Sequence, residues 1–166
     1  MSYDIYIGEA LLRVPSADSA EEWADTALNA HVLPHVEEGA PSFPGDSMTG
    51  RENHRHPAYG AWDEFLRQVG LYALFKDDDE GLMRHHPGCF LLRPRDLVAV
   101  RSALESWKAR AWPTEERIPG WDPKFKLGDS GEPDPRYDAI LARLIWLEWW
   151  FAWALNNCRV PAIYNR

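Results

Sequence analysis

The sequence predicts a single α+β domain: a small, mostly antiparallel sheet packed against a long tryptophan-rich C-terminal helix and a second amphipathic helix. Three observations lead there. The chain opens on alternating apolar and polar residues, and it nears its end on a helix that is apolar on two faces. Between them, strand and helix signals are too sparsely interleaved for a doubly wound parallel sheet. With 166 residues the chain is the size of one domain and long enough to bury a core. Nine tryptophans, within an aromatic content of 13%, give large rings a dominant share of that core.

Residues 3–12 read as a strand, with Tyr3, Ile5 and Ile7 on one face and Asp4, Tyr6 and Gly8 on the other; Pro15 ends it. Ser19 with Glu22 is a capping-box pattern that opens a helix from Ala20 to about residue 30. A competing reading makes residues 30–36 extended, and Pro34 argues against a helix through them. Both readings stand at this point. Trp62, Phe65, Leu66 and Val69 then fall at helical spacing over residues 61–69, with Gly70 at the stop. Leu71 to Phe75 continues as a short apolar turn, and residues 77–81 form a solvated one. His86, Pro87 and Gly88 turn the chain into a short strand over residues 89–92.

Residues 94–111 form a helix, with Pro94 in the first turn, Asp96 at the positive dipole end, and Leu97, Val100, Leu104 and Trp107 as its buried stripe. Residues 113–135 read as a long surface connection pinned by Trp121 and Phe125. Asp134 caps, and Pro135 opens, a helix to about residue 157. One of its faces carries Ile140, Leu144, Leu147, Phe151 and Leu155, and another carries Trp146, Trp150 and Trp153. Arg143 and Glu148 interrupt the run, which falls short of the roughly 20 apolar residues a bilayer span requires. The helix is therefore central in the fold, and its tryptophan face is a candidate surface for a homo-oligomer.

Charge and cysteine content exclude several classes. Net charge is −8, from 26 acidic and 18 basic side chains, which opposes non-specific binding to nucleic acid or to anionic membranes. Two cysteines, Cys89 and Cys158, are too few for a disulfide framework and read as free thiols of a reducing, cytoplasmic compartment. The N-terminus shows neither a basic segment nor an apolar one of the kind that marks a signal peptide.

Function concentrates in residues 43–62, where Phe43, Tyr59 and Trp62 bracket Asp46, Thr49, Arg51, Glu52, Asn53, His54, Arg55 and His56. A long loop of mixed chemistry with its own aromatic anchors reads as a binding surface. Arg55 suits a phosphate or carboxylate fork, Asn53 and Thr49 supply hydrogen bonds, and Tyr59 or Trp62 offers a stacking face. The candidate ligand-binding set is Asp46, Thr49, Asn53, His54, Arg55, His56, Tyr59 and Trp62, joined by His85 and His86. The bland alternative is that Arg55 pairs with Asp46 or Glu52 and only ties the loop shut. Glycine-rich phosphate loops and a nucleophile elbow are absent, so no catalytic residue is assigned and no cofactor is expected.

Metal ligation is the competing chemistry. His31 and His35 are four residues apart with Glu37 and Glu38 nearby, but Pro34 breaks the helix such a pair needs. His54, His56, His85 and His86 complete the six histidines without closing a motif. The expectation is no metal site, with a metal-assisted hydrolase using Asp46 or Glu52 as the alternative. The polar tail carrying Asn156, Asn157, Arg159, Tyr164, Asn165 and Arg166 reads as docking back on the domain, capping the long helix or completing a pocket.

Four segments carry a resemblance: YDIYIG at residues 3–8, MTG…N.RHPAY..W at 48–62, GLMRHHPGC at 81–89 and ALNNCRVPAIYN at 154–165. In these the chain resembles uncharacterised small accessory proteins of actinobacterial tailed phages. The resemblance implies a phage accessory protein made in the host cytoplasm that modulates or evades host machinery, and it carries over no functional residue. The expected function is non-enzymatic recognition of a small, planar, anionic, nucleotide-like ligand or of a host protein. The further alternative is a structural component of a phage particle that assembles through the tryptophan face.

Overall fold

The strand expected at the start of the chain forms and becomes the hub of the sheet. In the computed structural model, which describes residues 1–12, 30–43, 45–110 and 116–166, strand β1 runs over Ile5–Leu12. One edge of β1 pairs antiparallel with β7 (Pro161–Asn165) from Ile5 to Glu9. Its other edge is shared: Ile5 and Tyr6 pair with β3 (His54–Arg55), and residues 10–12 pair with β2 (Ala30–Val32). Strand β4 (Gly88–Leu91) joins the far edge of β7, so the five strands run in the order β2-β1-β7-β4 with β3 beside β1. Every pairing in this sheet is antiparallel, as the sequence predicts.

Of the open alternatives around residue 30, the extended one holds where the chain is described, since Ala30–Val32 is strand β2. The Ser19 and Glu22 capping pattern, and Pro15, lie outside the described residues.

Alternation along β1 decides which faces are covered. Tyr3, Ile5 and Ile7 enter the main core against the helices, while Tyr6 and Ala10 join Val32, Cys89 and Ala162 in a smaller cluster on the opposite face. Helix α1 (Tyr59–Gln68) buries Trp62, Phe65 and Leu66 and ends before Gly70, whose φ of 74° is the left-handed conformation that favours glycine. A short helix, α2 (Tyr72–Lys76), follows and buries Phe75. Helix α3 (Pro94–Lys108) starts where the Asp96 carboxylate accepts the Arg93 amide at 2.7 Å. Its buried stripe is the predicted one, Leu97, Val100, Leu104 and Trp107.

The long helix, α4 (Ala139–Asn157), begins later than the sequence suggests. Asp134 does not cap it. Residues 134–136 form a local turn in which Asp134 holds Arg136, and β6 (Tyr137–Asp138) pairs in parallel with β5 (Ile118–Pro119). Asp138 is the cap, accepting the Leu141 amide at 2.9 Å. Its carboxylate also receives the Trp107 indole at 2.9 Å and the Arg117 guanidinium at 3.2 Å. Both aspartates precede a helical pattern, so only these long-range partners distinguish them.

Helix α4 is central. Leu144, Trp150, Phe151 and Ala154 have no exposed surface. Its tryptophan face is covered by the chain itself, for the Trp146 indole donates to Gly50 O at 2.9 Å and His35 stacks on Trp153 with centroids 4.8 Å apart. The loop that the sequence marks as functional therefore lies directly on the helix that the sequence marks as central. Among the described residues, no helix is long and apolar enough to cross a membrane.

Candidate functional site: an arginine-lined cavity

Residues 43–62 divide into side chains that build the loop and side chains that face out of it. Asn53 builds it. Fully buried, its side-chain amide donates to Ile7 O and Leu33 O, each at 3.0 Å, and accepts the His35 amide at 2.7 Å. Its backbone donates to His35 O and accepts from Ile7 N, each at 2.9 Å. Five hydrogen bonds at one residue fill the gap on the edge of β1 between β2 and β3 and use both donors of its side-chain amide.

Asp46 and Thr49 also act inside the loop. The buried Asp46 carboxylate accepts the Met48 amide at 2.9 Å and the Arg143 guanidinium of α4 at 3.1 Å. The Thr49 hydroxyl accepts the Phe43 amide at 3.1 Å and donates to Asp46 O at 3.2 Å. Trp62 is 2% exposed and packs on Phe65 and Phe75, so its ring is not available for stacking on a ligand.

Cationic side chains line the cavity beside these residues. Arg55, Arg143, His56 and Ser47 line one cavity of about 340 Å³. Met48, Pro57, Ala58 and Ala61 supply its apolar wall. Arg55 is only 9% exposed; its guanidinium lies 5.2 Å over the Trp146 ring and donates to His54 O at 2.7 Å and to Glu52 at 3.2 Å. Burial pulls this guanidinium below its usual value, and Glu52 opposes that pull. A Cβ at position 50 would sit 1.8 Å from an Arg55 terminal nitrogen, so a side chain there would displace this guanidinium.

The pairing that the bland reading anticipates between Arg55 and Glu52 is present, but the Glu52 side chain is 48% exposed. Arg143 differs, since its partner Asp46 lies behind it with the side chain only 2% exposed.

His56 stands at the rim with Nδ1 against Asp4 at 2.5 Å, which leaves Nε2 for a ligand. That hydrogen bond holds the Asp4 carboxyl below its ordinary value, with Arg166 adding to it. His54 stacks on Tyr6 with centroids 5.1 Å apart, and its Nδ1 is buried without a partner among the described residues. Burial, then the neighbouring His56 and Arg55, pull the His54 imidazole below its usual pKa of 6.5. A proton on His54 therefore favours the unfolded chain. The stability this contributes is present above pH 6.5 and is lost as pH falls through the folded-state value. Denaturant midpoints are expected to drop on acidification below about pH 6.5, and the His54→Gln variant is expected to flatten that drop. Loss at Asp4 falls in a separate window below its ordinary value of 3.8.

The remaining expected residues gather elsewhere. The Tyr59 hydroxyl meets His86 Nε2 at 2.8 Å, and His86 Nδ1 meets Asn165 Oδ1 at 2.8 Å. Because Asn165 Nδ2 donates to Gly88 O, its Oδ1 must accept from His86, placing the imidazole proton on Nδ1. Tyr59 also packs on Tyr3, with centroids 4.2 Å apart. This chain of contacts ties α1 to the ends of β4 and β7 and does not line the cavity. His85 is exposed and lies near Phe90.

Sequence reasoning misses Arg143 and Ser47 as cavity residues. The signal for Arg143 is its charge within an otherwise apolar helix; Ser47 carries none. Among the described residues, no group of three or more His, Cys, Asp or Glu side chains is placed to hold a metal ion. No protein-family model, curated protein or solved structure matches this chain, so the functional reading rests on the geometry of the site.

Proposed function

We propose that this protein is a binding module for a small anion, with a phosphate or carboxylate group seated between Arg55 and Arg143. One observation carries the proposal: two guanidinium groups and the imidazole of His56 line the same small cavity. Planar guanidinium forks are suited to oxyanions, and partial burial strengthens each hydrogen bond they make. The apolar wall of Met48, Pro57 and Ala61 would take the organic part of the ligand. A nucleotide-like ring remains an expectation that stacking does not support, because neither Tyr59 nor Trp62 lines the cavity. In a phage accessory protein, the setting that the sequence resemblance implies, such an anion would be a small metabolite or signal of the infected cell.

Calorimetric titration with inorganic phosphate and with adenosine monophosphate tests the proposal. Removing Arg143 outright would strand the Asp46 carboxylate, so the informative variant is Arg143→Lys, which keeps the charge and loses the fork. Saturable one-to-one binding, weakened roughly tenfold or more in Arg143→Lys and in His56→Gln, is the expected result. Absence of saturable binding at millimolar ligand, or variants that bind as well as the parent, would overturn it.

A further inference from the structure

A second cavity lies where the sheet outruns its covering helix. Helix α4 ends at Asn157, whereas β1 continues to Leu12. The space left between them is about 500 Å³. Its walls are Leu11, Leu33, Pro34 and the Trp153 ring, with the turn through Cys158 and Arg159 at its mouth. Leu11 is 39% exposed and Leu33 is 53% exposed, so apolar surface faces solvent inside a concave site.

Polar groups at the mouth are unequal. Glu9 is engaged, its carboxylate accepting the Arg159 amide at 2.6 Å and the Val160 amide at 3.3 Å. Those bonds hold the reversal from α4 into β7 and take up the one acidic side chain of the cavity. The Cys158 thiol is pushed up to about 12 by burial and by Glu9, so it stays protonated and offers neither a thiolate nor a metal ligand. His35 is stacked on Trp153 and bonded to Glu37 at 2.7 Å. That leaves the exposed Arg159 guanidinium, which has no ion-pair partner among the described residues.

An apolar cleft that has an exposed guanidinium in its lining, with no ion-pair partner among the described residues, has the chemistry of a site for a small amphipathic carboxylate. We infer that the groove between β1 and the end of α4 binds a free carboxylic acid, its chain or ring against Leu11, Leu33 and Trp153 and its carboxylate on Arg159. This site is separate from the arginine-lined cavity, and neither proposal depends on the other. It also gives the C-terminal turn, which the sequence marks as docking back, a role in completing a pocket.

The test is an NMR titration of the full chain with sodium octanoate, followed at the amide of Gly8, the indole of Trp153 and the side-chain amide of Asn157. Saturable shifts at these positions are expected, with affinity at least about tenfold lower for octan-1-ol and for octanoate on Arg159→Gln. Arg51→Gln, which alters an exposed arginine outside the groove, is expected to leave the affinity unchanged. The inference is overturned by a lack of saturable shifts, by octan-1-ol binding as tightly as octanoate, or by Arg159→Gln binding as the parent does.

Discussion

Asn53→Ala is expected to remove much of the protein's stability rather than to weaken a ligand. The substitution strands the carbonyls of Ile7 and Leu33 and the amide of His35, all three now paired through one side chain. Each backbone group left without a partner in a buried setting costs about 1–3 kcal/mol, giving roughly 3–9 kcal/mol in total. Domains of this size are stable by only about 5–15 kcal/mol, so the loss removes much of the margin. Asn53→Asp is expected to behave similarly, since it gives up both donors and places a charge against two carbonyls. Urea unfolding followed by circular dichroism measures the effect. Arg51→Ala, at an exposed neighbour, is expected to shift stability by less than about 0.5 kcal/mol. A normal midpoint for Asn53→Ala would mean that the edge of β1 does not depend on this amide.

Trp150→Ala is the second large effect, at about 3–5 kcal/mol. The ring has no exposed surface and sits among Trp149, Trp153 and His35, with centroids 5.0, 5.3 and 6.4 Å away. Its indole nitrogen is buried without a partner among the described residues. That detail gives the prediction a direction beyond size. Trp150→Phe keeps an aromatic ring and discards an N–H that earns no hydrogen bond, so it is expected to cost much less than the alanine variant. Equal destabilisation by the two variants would show that the indole is bonded in solution. Dissociation of an oligomer without unfolding would instead return the tryptophan face to the role of an assembly surface.

The parts of the fold legible in the sequence are those encoded by local pattern. Alternation over residues 3–12 specifies β1, and the spacing of Leu97, Val100, Leu104 and Trp107 specifies the buried stripe of α3. Strands β2 and β3, of three and two residues, are too short to show a period and exist because β1 offers them an edge. The sequence places the start of α4 too early, at Asp134 and Pro135, for a related reason. Asp134 and Asp138 look alike until Trp107 and Arg117 are seen to converge on the second.

The site was half legible. A stretch rich in polar side chains between aromatic anchors correctly marks where the chain builds something unusual, but the same chemistry serves two ends. Asn53 and Arg55 are close in sequence and different in role: Asn53 bonds the backbone of Ile7 and His35, 46 and 18 residues away, while Arg55 lines the arginine-lined cavity. Arg143, which completes that cavity, is 97 residues from Asp46, a separation no local pattern encodes.

The central claim is that Arg55 and Arg143 form one anion site. Its most direct test is an NMR titration of the intact protein with inorganic phosphate, read at the guanidinium Nε–H resonances. The account predicts that the Arg55 and Arg143 resonances shift together along a single saturable curve while that of Arg51 stays in place. Shifts spread over exposed arginines without saturation, or no movement of Arg55 and Arg143, would contradict it.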